Sequence, residues 1–266
     1  MKKKTPYISY AMMAACTAVC ILVHVLDAGN TSESAIFLGA FYKPLVYAGE
    51  WWRLLTVAFV HVSPLHLFVN MYSLNIMGRS VELSLGHKKF AMIFFGSVIG
   101  GSLFILAMSG NDVTVGCSAG LYGLMAAYIY MITAAGGMKV PQVRNSVLMM
   151  VLVNVLVNMM PNVSAAGHMG GAMTGILIVL ACDQLQTKSM HMNALAALII
   201  LIAGMSLYCA KNTYISRDER YLGTDFNILK RYYDLGFQDY ARNMAGRLDE
   251  YYNMDGEFII YFNKEV

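Results

Sequence analysis

Seven apolar runs constrain what this chain can fold into more than any other feature. A bilayer hydrocarbon core about 30 Å thick is crossed by roughly 20 helical residues. Runs of about that length occupy Ile8–Leu26, Leu54–Met77, Phe90–Ser109, Gly116–Ala135, Ser146–Met160, Ala165–Ala181 and Ala194–Ala210. The fifth is short, and His61, Pro64, His66 and Asn70 interrupt the second. Backbone groups in hydrocarbon must be satisfied internally, which makes these runs helices. Only 13% of the 266 residues are charged and 58% are hydrophobic, whereas a soluble domain is about 25% charged. The chain reads as an all-α membrane protein. Its 21 Met and 23 Gly suit close helix packing in lipid.

The net charge of +3 is unevenly spread. Residues 211–266 hold 8 Lys/Arg and 10 Asp/Glu, and the first 210 hold 11 and 6. The basic excess therefore lies among the spans, where it reports orientation rather than a nucleic-acid partner. With Lys2, Lys3 and Lys4 inside, Arg79, Lys88, Lys89, Lys139, Arg144 and Lys188 fall on the same side, and only Lys43 and Arg53 on the other. This bias predicts a cytoplasmic N-terminus and an extracytoplasmic tail of residues 211–266. The basic start followed by a long run reads as an anchor rather than a cleaved signal, and no Arg-rich transit segment is seen. The bacterial plasma membrane is the expected compartment.

Two segments lie outside the spans. The loop Asp27–Trp51 is long for a helical bundle. It carries Phe37, Phe41, Tyr42, Tyr47 and Trp51, with Trp52 following, an aromatic density expected of an element in the membrane interface. In the tail, apolar residues recur near helical period over Asp225–Tyr252, as in an amphipathic helical hairpin. A strand-like Phe258–Phe262 follows. The tail is either a partner-, substrate- or membrane-binding element or a small autonomous cap.

Chemistry concentrates at one depth. Ser118 stands in Gly116-Cys117-Ser118-Ala119-Gly120 at the outer end of the fourth run, and His168 near the outer end of the sixth. An ionisable side chain inside a span marks a functional site, and a serine beside a histidine is a nucleophile with its base. Gly167, Gly171 and Gly175 form one smooth ridge, Gly116 and Gly120 another. Such ridges bring helix axes close. They equally fit two helices packed through glycine, with Ser118 bonded to its own backbone. Tyr122 shares a helix face with Ser118 and is placed to pack on the imidazole.

No Asp or Glu lies within the core of a span, so a dyad is expected rather than a triad. His66 and Asn70, four apart, can face a developing oxyanion together with free N–H groups at Cys117 and Ser118. On a continuous helix His61 would point away from His66. The five cysteines lack paired-ligand spacing, and no metal or other cofactor is implied. Cys117, beside the serine, is the alternative nucleophile. Asn154 and Asn158 on the fifth run read as interhelical hydrogen-bonders, or as the trace of a transport path.

Taken in order, Trp52-Arg53, His61, His66-Leu67-Phe68-Val69-Asn70, Glu82-x-x-x-Gly86-x-x-x-Phe90, Gly116-Cys117-Ser118 and His168-Met169-Gly170-Gly171 resemble the motifs of the rhomboid intramembrane serine proteases over roughly residues 45–182. The resemblance implies a six-helix bundle, here with one additional C-terminal span and a small soluble tail. It implies Ser118 as nucleophile, His168 as base, His66 and Asn70 at the oxyanion, Trp52 and Arg53 positioning the interfacial loop, and a structural Glu82. The chain departs from the family at Ala119, where the family has glycine; a methyl there, beside the oxyanion pocket or the substrate backbone, is expected to be tolerated.

The expected organisation is an N-terminal helix and interfacial loop over 1–53, a catalytic core over 54–189, a seventh span over 190–210 and the tail over 211–266. The expected function is endoproteolysis of transmembrane protein substrates near the outer bilayer face. Its rival is an inactive relative that binds membrane clients.

Overall fold

The computed structural model describes residues 5–27, 29–182, 187–213 and 217–264; Lys2, Lys3 and Lys4 lie outside them. Helices α1 (Tyr7–Val25), α7 (His87–Met108), α10 (Ala165–Cys182) and α11 (Lys188–Lys211) are long and apolar enough to cross a membrane. The second run is a bent pair, Arg53–Phe59 and Pro64–Leu85, with 94° between its halves. The break falls where Val60 is extended and Pro64 opens the next helix, a proline being tolerated only in a first turn. This pair contains α4 (Arg53–Thr56), α5 (Pro64–Ser73) and α6 (Arg79–Leu85), the last two joined by a π-turn.

Two other runs are helices that miss either that length or that hydropathy. They are α8 (Ser118–Ala134), 17 residues long, and α9 (Pro141–Asn158), which carries Gln142, Arg144 and Asn145 in its first turns. Among the described residues the only extended pairing is one antiparallel bridge, Phe41 with Thr114.

Helix α7 is the hub, with 67% of its apolar window buried against 11% for α11. It packs with α8 and α10 at backbone distance. A Cβ on Gly171 would lie 2.2 Å from the Ala119 carbonyl oxygen, and one on Gly175 2.4 Å from the Gly123 Cα. The α10 ridge is therefore as expected, but its partner on α8 is Ala119 and Gly123 rather than Gly116 and Gly120. Gly116 precedes the helix, and Gly120 faces Phe94 of α7. Glu82, buried, accepts from the backbone N–H groups of Ile8 (2.9 Å) and Ser9 (2.8 Å) and lies 2.6 Å from His87 Nδ1. It supplies the first turn of α1 with the acceptor that a helix start lacks.

The long first loop folds into α2 (Thr31–Phe37) and α3 (Lys43–Tyr47). Phe41 and Tyr42 are fully buried, while Trp51 and Trp52 stay exposed. The aromatics expected at the membrane interface thus divide, most of them meeting protein. Phe41 joins the helical core, and what covers Tyr42, Phe37 and Tyr47 is the tail, where α12 (Leu222–Asp234) and α13 (Gln238–Tyr252) form the expected hairpin. A second core joins Ile36, Tyr42 and Leu45 of the loop to Leu229, Leu248 and Phe262 of the tail. The tail is therefore not an autonomous cap; the chain's own first loop fills its buried face.

The strand expected at Phe258–Phe262 is instead α14 (Glu257–Lys264). Five apolar residues fit either period, and the choice is made by Asp249, whose carboxylate accepts from the N–H groups of Phe258 and Ile259, each at 3.0 Å. Phe258 and Phe262 then share the buried face.

Two predictions follow from this packing. Gly175→Val should destabilise the bundle by about 1–3 kcal/mol, the usual cost of overpacking, read as a lowered thermal midpoint in detergent. The second concerns Asp225, buried in the tail beneath Tyr42 and accepting from the Tyr252 hydroxyl at 2.7 Å. Burial pushes its carboxyl up to about 7. An unfolded carboxyl titrates near ~3.9, so between there and about 7 only the folded state keeps the proton, and tail stability falls as pH rises through that window. Hydrogen exchange across α12 and α13, corrected for intrinsic rates, should show less protection at the upper end of that window, and Asp225→Asn should remove the dependence.

Candidate active site

The site forms where α8 begins. Gly116 adopts φ +107°, a conformation that side chains disfavour, and its N–H donates to the Val57 carbonyl at 3.1 Å. A Cβ there would lie 2.6 Å from His66 Cε1 and 3.6 Å from Asn70 Nδ2. Glycine is thus needed for both the turn and the close approach of α5. The chain reverses and α8 opens at Ser118, whose neighbouring N–H groups have no partner within the helix.

Ser118 and His168 meet. Ser118 Oγ lies 2.9 Å from His168 Nε2, and the imidazole is buried. The ring of Tyr122 stacks on it with centroids 4.0 Å apart and planes 11° from parallel, as the shared helix face predicts. On the other side, His168 Nδ1 lies 2.8 Å from Asn158 Oδ1 at the end of α9. The sequence reading makes Asn158 an interhelical hydrogen-bonder without a named partner. The signal available was its polarity at the C-terminal end of an apolar helix, at the apparent depth of Ser118. With Asn154 it belongs to this cluster rather than to a path across the bundle.

His66 and Asn70 project from α5 toward Gly116, and the Asn70 amide donates to the His66 carbonyl at 3.1 Å. His61 differs from expectation. Its ring lies 5.2 Å from that of His66 because the helix begins only at Pro64, so helical spacing does not govern the pair. Among the described residues, no three His, Cys, Asp or Glu side chains are grouped to hold a metal ion.

The Ala119 methyl does not point at the serine. Gly101 of α7 faces it, and a Cβ on Gly101 would meet it at 2.6 Å. Room for the methyl is supplied by the glycine on α7.

Trp52 and Arg53 sit apart from the serine and histidine. Arg53 is fully buried, donates to the carbonyls of Ile36 (2.6 Å) and Ala40 (2.8 Å), pairs with Glu50 and lies 4.5 Å over the Trp52 ring. Glu50 in turn accepts from Tyr240 of the tail. These residues hold the first loop, and through Phe41 and Thr114 that loop borders the segment leading to Ser118.

Cys117 is fully buried. It should resist a membrane-permeant maleimide in the folded protein and react only after denaturation, as thiol labelling followed by mass spectrometry would show. Labelling of folded protein at Cys117 would reopen the choice of nucleophile.

The chain is similar to known proteins. The family model described as the Rhomboid domain matches residues 48–184. Rhomboid protease GluP of Bacillus subtilis (strain 168) is 24% identical over 197 residues, 74% of this chain and 39% of that protein. Rhomboid-like protease 3 of Toxoplasma gondii is 25% identical over 181 residues, 66% of this chain and 68% of that protein. Inactive RHOMBOID-like protein 8 of Arabidopsis thaliana is 35% identical over 91 residues, 34% of this chain and 26% of that protein. The chain thus spans about two fifths of the Bacillus protein and about a quarter of the Arabidopsis one.

Proposed function

The chain belongs to the rhomboid family and is a multi-pass membrane protein; from that premise we propose that it is an intramembrane serine endopeptidase working through Ser118 and His168. The observation that carries this reading is the 2.9 Å contact between Ser118 Oγ and His168 Nε2. An inactive relative has no chemical need to keep a serine and a buried imidazole in register, and this chain keeps both.

The reaction runs as acyl transfer. The Ser118 hydroxyl gives its proton to Nε2 as its oxygen attacks the scissile carbonyl, and the imidazolium returns that proton to the leaving amine. Water then enters by the same route and hydrolyses the acyl-enzyme. The oxyanion is met by the free N–H groups at the start of α8, with His66 and the Asn70 amide converging from α5. Removing one such donor costs about 2.7–4 kcal/mol in a soluble protease. Tyr122 holds the ring, while Trp52, Arg53 and Glu82 shape the scaffold.

The substrates are transmembrane segments of other membrane proteins. A helix shields its own carbonyls, so those with small or helix-breaking residues near the membrane boundary are favoured. The chain is organised as an N-terminal helix and loop over 1–53, a catalytic core over 54–189, a further span over 190–210 and a soluble tail over 211–266, giving six spans plus one. The basic bias of the short loops supports a cytoplasmic N-terminus and an extracytoplasmic site and tail, and makes a bacterial plasma membrane our working assignment. The membrane lipid is its other partner.

The test is labelling by a fluorophosphonate probe in native membranes. Wild type should label, and Ser118→Ala and His168→Ala should not. Absence of labelling in correctly inserted wild type would favour the client-binding role that an inactive relative could fill.

A further inference from the structure

The outer end of α9 carries more order than its packing explains. Val147 is the one fully buried residue of this helix, and Leu148, Met149, Leu152, Val155 and Leu156 are exposed. Asn158 is nevertheless held by three contacts, and a fourth closes the cluster around it. Its Nδ2 donates to the Asn154 carbonyl at 2.7 Å and to the Tyr122 hydroxyl at 2.6 Å, its Oδ1 faces His168 Nδ1 at 2.8 Å, and the Tyr122 hydroxyl itself donates to the Asn154 carbonyl at 3.2 Å.

These contacts fix a proton direction. A backbone carbonyl can only accept, so the group of Asn158 facing Asn154 must be the amide nitrogen. That leaves Oδ1 toward the imidazole, and Oδ1 also only accepts. Nδ1 must therefore carry a proton; in the neutral imidazole Nε2 is then bare, and the Ser118 hydroxyl donates to it. The Asn154 carbonyl, through one side chain, sets the tautomer that a base at Nε2 requires.

We infer that Asn158 is the positioning residue of His168, holding it as the Nδ1–H tautomer with Nε2 aimed at Ser118. The inference rests on the proposed protease reading for its purpose, but not for its geometry. An amide suits this place. In a half-buried setting beside exposed apolar residues a carboxylate would need its charge compensated, whereas a neutral oxygen accepts the Nδ1–H bond at no such cost. The stacked Tyr122 ring restricts the imidazole plane, and Asn158 selects which nitrogen faces the serine. The alternative is that Asn158 only ties α9 to α8 through Tyr122, with the imidazole contact incidental.

The experiment combines nitrogen-15 NMR of histidine-labelled protein in detergent, with His168 assigned by its loss in His168→Ala, and fluorophosphonate labelling rates. Wild type should show Nδ1 protonated and Nε2 bare. Asn158→Ala should lose that single tautomer and label about 10–100-fold more slowly, the loss typical when the partner orienting a metal-bound histidine is removed. Asn158→Asp, which keeps an acceptor at the same place, should retain Nδ1–H and recover most of the rate. A protonated Nε2 in wild type, or an Asn158→Ala variant unchanged in tautomer and rate, would overturn the inference. Should Asn158→Ala not fold, loss of Nδ1–H in Asn158→Asp overturns it equally. A wild type that shows Nδ1–H but never labels would leave Asn158 in its role and count against the protease reading alone.

Discussion

Everything at the site depends on how closely α10 can approach α8. The distance is set by the absence of side chains at Gly171 and Gly175, which lie against Ala119 and Gly123. Lipid chains are as apolar as leucine, so no hydrophobic force drives two spans together. Close packing and interhelical hydrogen bonds must do it. Once the backbones touch, the 2.9 Å contact between Ser118 and His168 needs no further movement. Helix α7 completes this core by giving ground where its neighbours need room, with Gly101 facing the Ala119 methyl and Gly100 facing Thr174.

A second system sits on this core and is built on different physics. The first loop and the tail share an apolar cluster, and buried polar groups run through it. Arg53 is the centre: its guanidinium, removed from water, is satisfied by Glu50 and two loop carbonyls, and Glu50 is bonded in turn by Tyr240 of the tail. A buried charge of this kind is tolerated only when paired and fully hydrogen-bonded. The same loop pairs with Thr114, two residues before Gly116, so tail, loop and the turn into Ser118 form one continuous structure.

The parts of the molecule legible in the sequence were those governed by periodicity and local chemistry. Apolar length located the helices, helical spacing placed Tyr122 beside the imidazole, and the tail's apolar period gave its hairpin. The misreadings applied a regular period where something outside that period decided, and one correct reading lacked its partner. Phe258–Phe262 became a helix because Asp249, nine residues upstream of Phe258, caps it. His61 came to lie beside His66 because the helix starts at Pro64. Asn158 could be seen as a polar residue in a span, but its partner is ten residues away across a turn and an interhelical gap.

By itself the sequence determined the class of solvent, the placement of the apolar helices along the chain, and the family, since these follow from which residues occur and in what order. Tertiary structure alone decided which helix faces touch. It replaced Gly116 and Gly120 by Ala119 and Gly123 as the ridge under α10, turned the Ala119 methyl toward α7, put the tail over the first loop, and brought Asn158 to His168. Helical periodicity gives each residue an angle about its own axis. The rotation of one helix against another is a property of the packed pair, fixed by contacts between residues far apart in the chain.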